Sequence, residues 1–408
     1  MTAPDQITYF RKGFGLKTEV QETLSTDYTG HLVDLLRARE FTLEAGGVTV
    51  RLAKEFGFCY GVERAVEYAY QTRAKFPERR IFLAGEIIHN PHVNAKLREM
   101  GIVFLLAGET GFDYSAVHPA DVVILPAFGV TIGDFETLRG LGCVMVDTTC
   151  GSVLNVWKRV EAYARDGFTS LIHGKYYHEE TRATASQVAK YAGGTYIVVR
   201  NMEQAGEVCD YIEGKGLSRA DFLEKYRKQA SPDFDPDVHL ARIGVANQTT
   251  MLARESLAIG EAAGQAMARA KGDAYRAENF RTFDTICSAT QDRQDAVHEL
   301  LDAGVDLMVV IGGFNSSNTI SLAALCAERV PTFHVSDASC IDVESGSIRH
   351  VPPGKSEEIE TPHWLGSIGD GRALRVGITA GASTPNNKIG EAVARVFATR
   401  GVDPASIT

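Results

Sequence analysis

Three of the seven cysteines in this chain follow similar stretches of sequence, and their thiols are the groups best suited to metal chemistry. Cys150 and Cys287 each complete the pattern Asp-Thr-X-Cys after an apolar run, and Cys59 follows a β-rich run at residues 48–53. In each case, small residues and a segment with helical periodicity come close behind. A helix N-terminus carries about +0.5 charge, which stabilises a thiolate and so favours metal ligation.

The repeated cysteines have two explanations. Each could be an ordinary buried residue, since a cysteine packs well as a small hydrophobe. The repeated pattern favours a site that the three thiols share. Zinc takes four ligands in a structural site, or three and a water in a catalytic one, whereas three thiolates on an iron–sulfur cluster leave one iron open. The sequence favours the cluster, because ligands drawn from three separate segments can enclose more than a single ion.

Two histidines lie in polar loops that follow predicted strands. His89 comes after the predicted strand at residues 80–85, and His178 comes after the one at 170–173. Ligands bind at such strand-to-helix junctions in open α/β sheets, so both histidines could donate to an anion and Glu180 could supply a proton. The alternative is that these residues only cap the helices that follow.

Glycine and hydroxyl residues follow other predicted strands. The loops at residues 312–318 and 379–385 combine glycines, which permit close backbone approach, with serines and helix N–H groups that can face an anion. Thr249 stands at a third strand exit, where its hydroxyl could contact a ligand or cap the next helix. No Gly-Lys-Ser/Thr follows, so these are not P-loops. Together the loops predict a phosphate or diphosphate pocket.

An open iron beside an anion pocket and a carboxylate indicates a particular kind of chemistry. Iron would act as a Lewis acid on a substrate hydroxyl, and the carboxylate would supply the proton that makes water the leaving group. Reduction or dehydration of a hydroxylated phosphate ester fits these groups.

Alternating strands and helices must position these residues. The alternation predicts an α/β fold with three similar α/β domains, small parallel sheets and a pseudo-threefold arrangement around the shared site. The expected segments are an N-terminal extension at 1–47, α/β domains at 48–142, 143–282 (with an insertion at about 210–240) and 283–385, and a C-terminal helix and tail at 386–408. Within the extension, we expect one amphipathic helix at about 26–40, with Leu32, Leu35 and Leu36 on one face.

Bulk composition limits the functional classes. A chain of 408 residues is expected to form two to four domains, and a net charge of −10 argues against nucleic acid as the main partner. Seven scattered cysteines and the lack of an apolar run near 18 residues argue against a disulfide framework and a membrane span, and favour a reducing compartment. Residues 1–47 lack the apolar core of a secretory signal, and their acidic residues argue against a transit peptide.

The sequence contains eight motifs that resemble, in residues and in order, those of the LytB family, the 4-hydroxy-3-methylbut-2-enyl diphosphate reductases. An ordered set of this kind, spanning residues 48–385, is far more specific than any single motif. The motifs are Gly57-Phe58-Cys59-Tyr60-Gly61-Val62, Ile88-His89-Asn90, Asp147-Thr148-Thr149-Cys150, His178-Glu179-Glu180, Gln248-Thr249-Thr250, Ile286-Cys287-Ser288-Ala289-Thr290, Asn315-Ser316-Ser317-Asn318 and Thr379-Ala380-Gly381-Ala382-Ser383.

The resemblance implies a function and a role for each site residue. Cys59, Cys150 and Cys287 would hold one central [4Fe–4S] cluster, whose unique iron would bind the substrate hydroxyl. Glu180 would donate the proton, with Thr249 as its partner. Two electrons from ferredoxin or flavodoxin would convert the substrate to isopentenyl and dimethylallyl diphosphate. The expected diphosphate-binding residues are His89, His178, Ser316, Ser317, Asn318 and Ser383.

The chain also departs from the family pattern. Many bacterial members have a histidine where Phe128 stands here, and residues 174–177 differ from the usual histidine-containing form. With the N-terminal extension and the insertion, these features resemble the cyanobacterial and plant-type branch. We therefore expect a protein of the bacterial cytoplasm, with no membrane or nucleic-acid partner.

Overall fold

The structure is a computed structural model that describes residues 8–108, 111–283, 285–366 and 373–407. Asp284, part of the second Asp-Thr-X-Cys pattern, and the first seven residues of the predicted extension lie outside these ranges. The chain divides into two compact units. Compact unit 1 comprises Met1–Lys12, Glu78–Ile87 and Gly101–Cys287, and compact unit 2 comprises Gly13–Pro77, Ile88–Met100 and Ser288–Thr408.

Helices and strands alternate along most of the described chain. The strands are β1 (Tyr9–Phe10), β2 (Thr42–Ala45), β3 (Val48–Leu52), β4 (Ile81–Leu83), β5 (Ile102–Phe104), β6 (Val122–Leu125), β7 (Val144–Asp147), β8 (Thr169–His173), β9 (Tyr196–Val199), β10 (Ile243–Asn247), β11 (Phe280–Thr282), β12 (Leu307–Ile311), β13 (Thr332–Val335), β14 (Ile341–Asp342), β15 (Ser347–His350), β16 (Ile359–Pro362) and β17 (Leu374–Ala380). The α-helices are α1 (Lys17–Tyr28), α2 (His31–Ala38), α3 (Tyr60–Lys75), α4 (Pro91–Glu99), α5 (Ile132–Leu141), α6 (Gly151–Arg165), α7 (Glu179–Ser186), α8 (Met202–Ile212), α9 (Arg219–Tyr226), α10 (Pro236–His239), α11 (Ala253–Lys271), α12 (Asp273–Asn279), α13 (Ser288–Asp302), α14 (Ser317–Ala327) and α15 (Asn386–Ala398).

Small parallel sheets organise both units. Compact unit 1 has a parallel sheet in the order β1-β7-β6-β4-β5 and another in the order β11-β10-β8-β9. Compact unit 2 has the sheet β13-β12-β17-β3-β2, parallel except for β2, and the small antiparallel sheet β14-β15-β16. Strands such as β6 and β12 are apolar and buried along their whole length, as parallel strands with both faces covered must be. The prediction of an α/β fold with small parallel sheets is confirmed.

The strand near residues 48–53 does not pair with the strands near 81 and 122. The sequence order placed residues 48–53 with the strands near 81 and 122 in one α/β domain. In the structure, β3 pairs with β17, with Val50 opposite Val376, and with β2 on its other edge. Residues 48–142 therefore do not form one sheet. The local pattern of β3 shows that it is buried, but it contains no information about a partner more than 300 residues away.

One helix was predicted at residues 26–40, but the structure has two, α1 and α2, because the helical conformation is interrupted between them. Gly30 is extended at this break, and a Cβ added there would lie 2.7 Å from the main-chain oxygen of Asn386. Leu36 is buried as expected, while Leu32 and Leu35 pack against the same core. Residues 13–47 thus belong to the core of compact unit 2 and are not a detached appendage.

Candidate active site

The seven cysteines fall into two physical classes. All seven lie in the described ranges as thiols rather than disulfides. Four are buried, and burial raises the pKa of Cys209 to about 11 and that of Cys326 to about 12. The other three are only partly buried and stand where helices begin: Cys59 before α3, Cys150 before α6 and Cys287 before α13. This second class fits thiolate ligands of a cluster, since its thiols are accessible and lie at helix N-termini.

In compact unit 1, the helix that Cys150 begins contacts Cys287. Ser152, in the first turn of the helix that Cys150 begins, donates a hydrogen bond from Oγ to Sγ of Cys287 over 3.3 Å. The Asp-Thr-X-Cys pattern has a clear local role here. Asp147 accepts hydrogen bonds from N–H and Oγ1 of Thr149, at 2.9 and 2.5 Å, and so fixes the turn before Cys150.

Cys59 is held by main-chain contacts in compact unit 2. Its N–H donates to the oxygen of Ala382 in the loop after β17, at 3.2 Å. The preceding turn uses Gly57 at φ 74°, a conformation that favours glycine. The buried guanidinium of Arg293 donates to the oxygen of Gly57 at 2.7 Å, which fixes this turn.

Glu180, the candidate proton donor, lies with Thr249 and His178 in the segments that follow β8 and β10. Glu180 is 1% exposed, and its Oε1 accepts a hydrogen bond from the N–H of Thr249 at 2.6 Å. His178 caps α7: its Nδ1 accepts from the N–H of Glu180 at 3.1 Å. Because a nitrogen that accepts is unprotonated, the proton of a neutral His178 ring stands on Nε2. Glu180, Thr249 and His178 are therefore one hydrogen-bonded group.

Gln248, which was not predicted to be a site residue, joins the two loops of this group. Its Oε1 accepts from the N–H of Lys175 at 3.1 Å and from Oγ1 of Thr181 at 3.0 Å, and its Nε2 donates to Oγ1 of Thr250 at 2.8 Å. Gln248 is in the quoted Gln-Thr-Thr motif, which is a signal for a role near the site. The contacts themselves depend on β8 and β10 being neighbours.

Phe128 contacts His178 where a polar side chain was expected. The two rings pack edge to face, with centroids 5.6 Å apart and an interplanar angle of 82°. This contact orients the imidazole by packing rather than by a hydrogen bond. Burial also lowers the pKa of Lys175, which lies three residues before His178.

His89 lies among the loops of compact unit 2. Nδ2 of Asn315 is 3.3 Å from its Nδ1, and Oγ of Ser383 donates to its main-chain oxygen at 3.3 Å. A Cβ added to Gly313 would lie 2.7 Å from that same oxygen, so a glycine is needed for this approach. Asn315 was not singled out from the sequence, although it stands in the quoted Asn-Ser-Ser-Asn motif.

The serine and asparagine residues of this motif are buried at the start of α14. Ser316 caps the helix by accepting from the N–H of Thr319, and Ser317 is buried beside it. Oδ1 of Asn318 accepts from the N–H of Ala382 at 2.9 Å. Nδ2 of Asn318 is buried and has no hydrogen-bond partner among the described residues. A buried donor of this kind is costly unless a bound acceptor satisfies it, which fits an anion site.

Among the described helices, none has the length and apolar character needed to cross a membrane.

Comparison with known proteins places the chain among enzymes of one kind. The family model described as LytB protein matches residues 50–397. A 4-hydroxy-3-methylbut-2-enyl diphosphate reductase of Gloeobacter violaceus is 48% identical over 405 residues, covering 98% of this chain and 94% of the relative. The same-named protein of Thermosynechococcus vestitus is 46% identical over 399 residues, covering 98% of this chain and 96% of the relative.

Solved structures agree. A structure of (E)-4-hydroxy-3-methyl-but-2-enyl diphosphate reductase, described as the terminal enzyme of the non-mevalonate pathway, aligns at 27% identity with a TM-score of 0.51, over 85% of this chain and 98% of its own. The E-1-hydroxy-2-methyl-but-2-enyl-4-diphosphate reductase of Plasmodium falciparum has the same fold, with a TM-score of 0.60 at 21% identity, over 84% of this chain and 86% of its own. With the match to the family model over residues 50–397, these similarities show that the chain belongs to the LytB protein family.

Proposed function

We propose that this chain reduces 4-hydroxy-3-methylbut-2-enyl diphosphate to isopentenyl and dimethylallyl diphosphate, the last step of the methylerythritol phosphate route. The observation that carries the proposal is the match to the family and to its curated reductases over almost the whole chain. In this reaction the allylic C–O bond breaks, two electrons enter, one proton converts the leaving hydroxyl to water and a second forms the new C–H bond.

Cys59, Cys150 and Cys287 are the proposed ligands of one [4Fe–4S] cluster. Their partial burial at helix N-termini supports this choice, whereas the other four cysteines are buried. When bound, the cluster supplies a Lewis-acidic iron and a path for the electrons. The protein's part is to keep three thiolates available and the fourth iron open to substrate.

The proposed diphosphate donors that the structure brings together lie in compact unit 2. His89 and Ser383 are buried and already in contact with each other, and the unsatisfied Nδ2 of Asn318 supplies a further N–H. Each charge-assisted hydrogen bond of this kind contributes roughly 1.5–3 kcal/mol. The full proposed set is His89, His178, Ser316, Ser317, Asn318 and Ser383.

Glu180 is the proposed proton donor to the leaving hydroxyl. The N–H of Thr249 donates to one carboxylate oxygen and so fixes the carboxyl group that would carry the proton. Burial keeps the carboxyl away from bulk water, which favours direct transfer to the substrate over exchange with solvent. The hydroxyl of Thr249 is the proposed second contact in substrate orientation and proton relay.

The proposal also includes an electron donor and a location. We propose ferredoxin or flavodoxin as the natural single-electron donor and the bacterial cytoplasm as the location. The cyanobacterial relatives support a bacterial setting.

An anaerobic turnover assay tests the proposed function. The purified protein would be incubated with 4-hydroxy-3-methylbut-2-enyl diphosphate, with and without a low-potential reductant, and the products separated. We expect isopentenyl and dimethylallyl diphosphate only when the reductant is present. Turnover without any reductant would instead identify a hydro-lyase, and a zinc-containing protein with no turnover would identify a non-catalytic scaffold.

A further inference from the structure

The segment that carries Cys287 lies along one face of α6, the helix that Cys150 begins. Two contacts seven residues apart on α6, about two helical turns, hold it there. The guanidinium of Arg159 stacks 3.9 Å from the ring centroid of Phe283, and the hydroxyl of Ser152 donates to Sγ of Cys287 at 3.3 Å. All of these residues belong to compact unit 1.

The other side of the same segment is also fixed. β11, just before it, pairs in parallel with β10, so Phe280 lies opposite Ile243. Oγ1 of Thr285 accepts from the N–H of Asn247 at 3.2 Å and donates to Oδ1 of the same residue. The position of Cys287 beside Ser152 is therefore fixed by strand pairing on one side and by α6 on the other.

We infer that Ser152 tunes the reduction potential of the proposed cluster through its hydrogen bond to the Cys287 sulfur. This inference rests on the proposed function, because it takes Cys287 to be a cluster ligand. Ser152 is a positioning residue in this role, since it acts through the sulfur of Cys287.

The direction of the effect follows from charge. Reduction adds an electron to the cluster and its thiolates, and a hydroxyl hydrogen bond stabilises the more negative state more strongly. The hydrogen bond therefore makes the cluster easier to reduce. The difference in bond strength between the two states is at most the whole net contribution of the bond, about one factor of ten in an equilibrium constant. A tenfold change in a one-electron redox equilibrium is ~59 mV.

Three single variants of the full-length holoenzyme separate the possibilities. S152A removes the hydroxyl, S152T keeps a hydroxyl on the same backbone position, and S288A removes the serine hydroxyl directly after Cys287 in the chain. Each protein would be purified anaerobically, and its midpoint potential measured by electron paramagnetic resonance during a redox titration. This signal comes only from molecules that contain a cluster, so partial loading does not bias the potential.

We expect the midpoint potential of S152A to fall by up to ~59 mV, which makes reduction up to tenfold less favourable, with S152T and S288A close to wild type. An unchanged potential in S152A would overturn the inference. Loss of all cluster from S152A would also overturn it, since Ser152 would then serve assembly rather than potential. Absence of a cluster from the wild-type protein would instead refute the proposed function, so the two failures are distinguishable.

Discussion

The carboxylate of Glu180, the proposed proton donor, is held in place by its surroundings. It is almost fully buried, and a main-chain N–H holds one of its oxygens at 2.6 Å. The sequence identified Glu180 and Thr249 from their motifs, because their residue types and positions at strand exits are local features. It could not show that Thr249 acts on Glu180 through its backbone, because that contact joins residues 69 apart in the chain.

Replacing Glu180 with glutamine tests the proton donor. Glu180→Gln keeps the size and the acceptor oxygen for Thr249 but cannot release a proton of suitable acidity. We expect turnover to fall by about 10²–10⁴-fold with the cluster spectrum unchanged. Glu179→Gln, at the exposed neighbouring position, is the matched control and should stay near the wild-type rate. A near-normal rate in Glu180→Gln would remove it from the proposed role.

Asn318 offers a second test at the scale of one side chain. Asn318→Asp keeps an acceptor for the N–H of Ala382 but replaces the unsatisfied N–H donor with a negative oxygen. We expect KM for the diphosphate substrate to rise about 10- to 100-fold, because a charged hydrogen bond is lost and replaced by repulsion. Steady-state kinetics under a low-potential reductant would measure it. An unchanged KM would show that Asn318 does not face the diphosphate.

Parallel pairing of strands brings the candidate site loops together, because it places the loops that follow neighbouring strands at the same edge of the sheet. The loops after β12 and β17 lie side by side because those strands are parallel neighbours, with Ile311 opposite Ala380. The sequence could predict glycine-rich and serine-rich loops after buried strands, since strand pattern and loop composition are local. It could not predict that β3 would join this sheet, because pairing depends on tertiary packing.

Gly313 tests the close approach of its loop to His89. Gly313→Ala would place a Cβ 2.7 Å from the main-chain oxygen of His89, so one of the two segments must move. We expect KM to rise roughly tenfold, because moving His89 or the Gly313 loop would misplace the proposed diphosphate donors. Gly140→Ala, whose Cβ has open space on α5, is the matched control and should leave KM unchanged. Equal KM values for Gly313→Ala and wild type would contradict the proposed geometry.

Folding of the whole molecule buries two histidines, His173 and His334, away from water. His334 is buried on β13, and its Nε2 lies 3.0 Å from the oxygen of Gly312, the residue that starts one proposed diphosphate loop. Burial, together with a smaller effect of nearby His350, lowers the pKa of His334 to about 4. Burial also lowers the pKa of His173 to about 4. Both histidines are therefore neutral in the folded protein at pH 7.

These histidines make global stability depend on pH. The folded pKa of His334 lies below its unfolded value of about 6.5, so the unfolded chain binds more protons as the pH falls. The stabilising contribution is present above pH ~6.5 and is lost progressively down to pH ~4. Each such histidine should reduce the free energy of unfolding by ~2 kcal/mol between pH 7 and pH 5.

The variant His334→Gln keeps an N–H donor but does not titrate. Anaerobic urea unfolding at pH 7 and pH 5 should show a smaller loss of stability for this variant than for wild type, by the contribution of one histidine. The same pH dependence in both proteins would show that His334 does not titrate during unfolding.

Metal and sulfide content of the anaerobically purified wild-type protein tests the central claim most directly. If Cys59, Cys150 and Cys287 together hold a [4Fe–4S] cluster, the protein will contain about four irons and four inorganic sulfides per chain. Zinc with no inorganic sulfide would contradict the account, because the proposed reduction would then have neither an open iron nor a path for electrons.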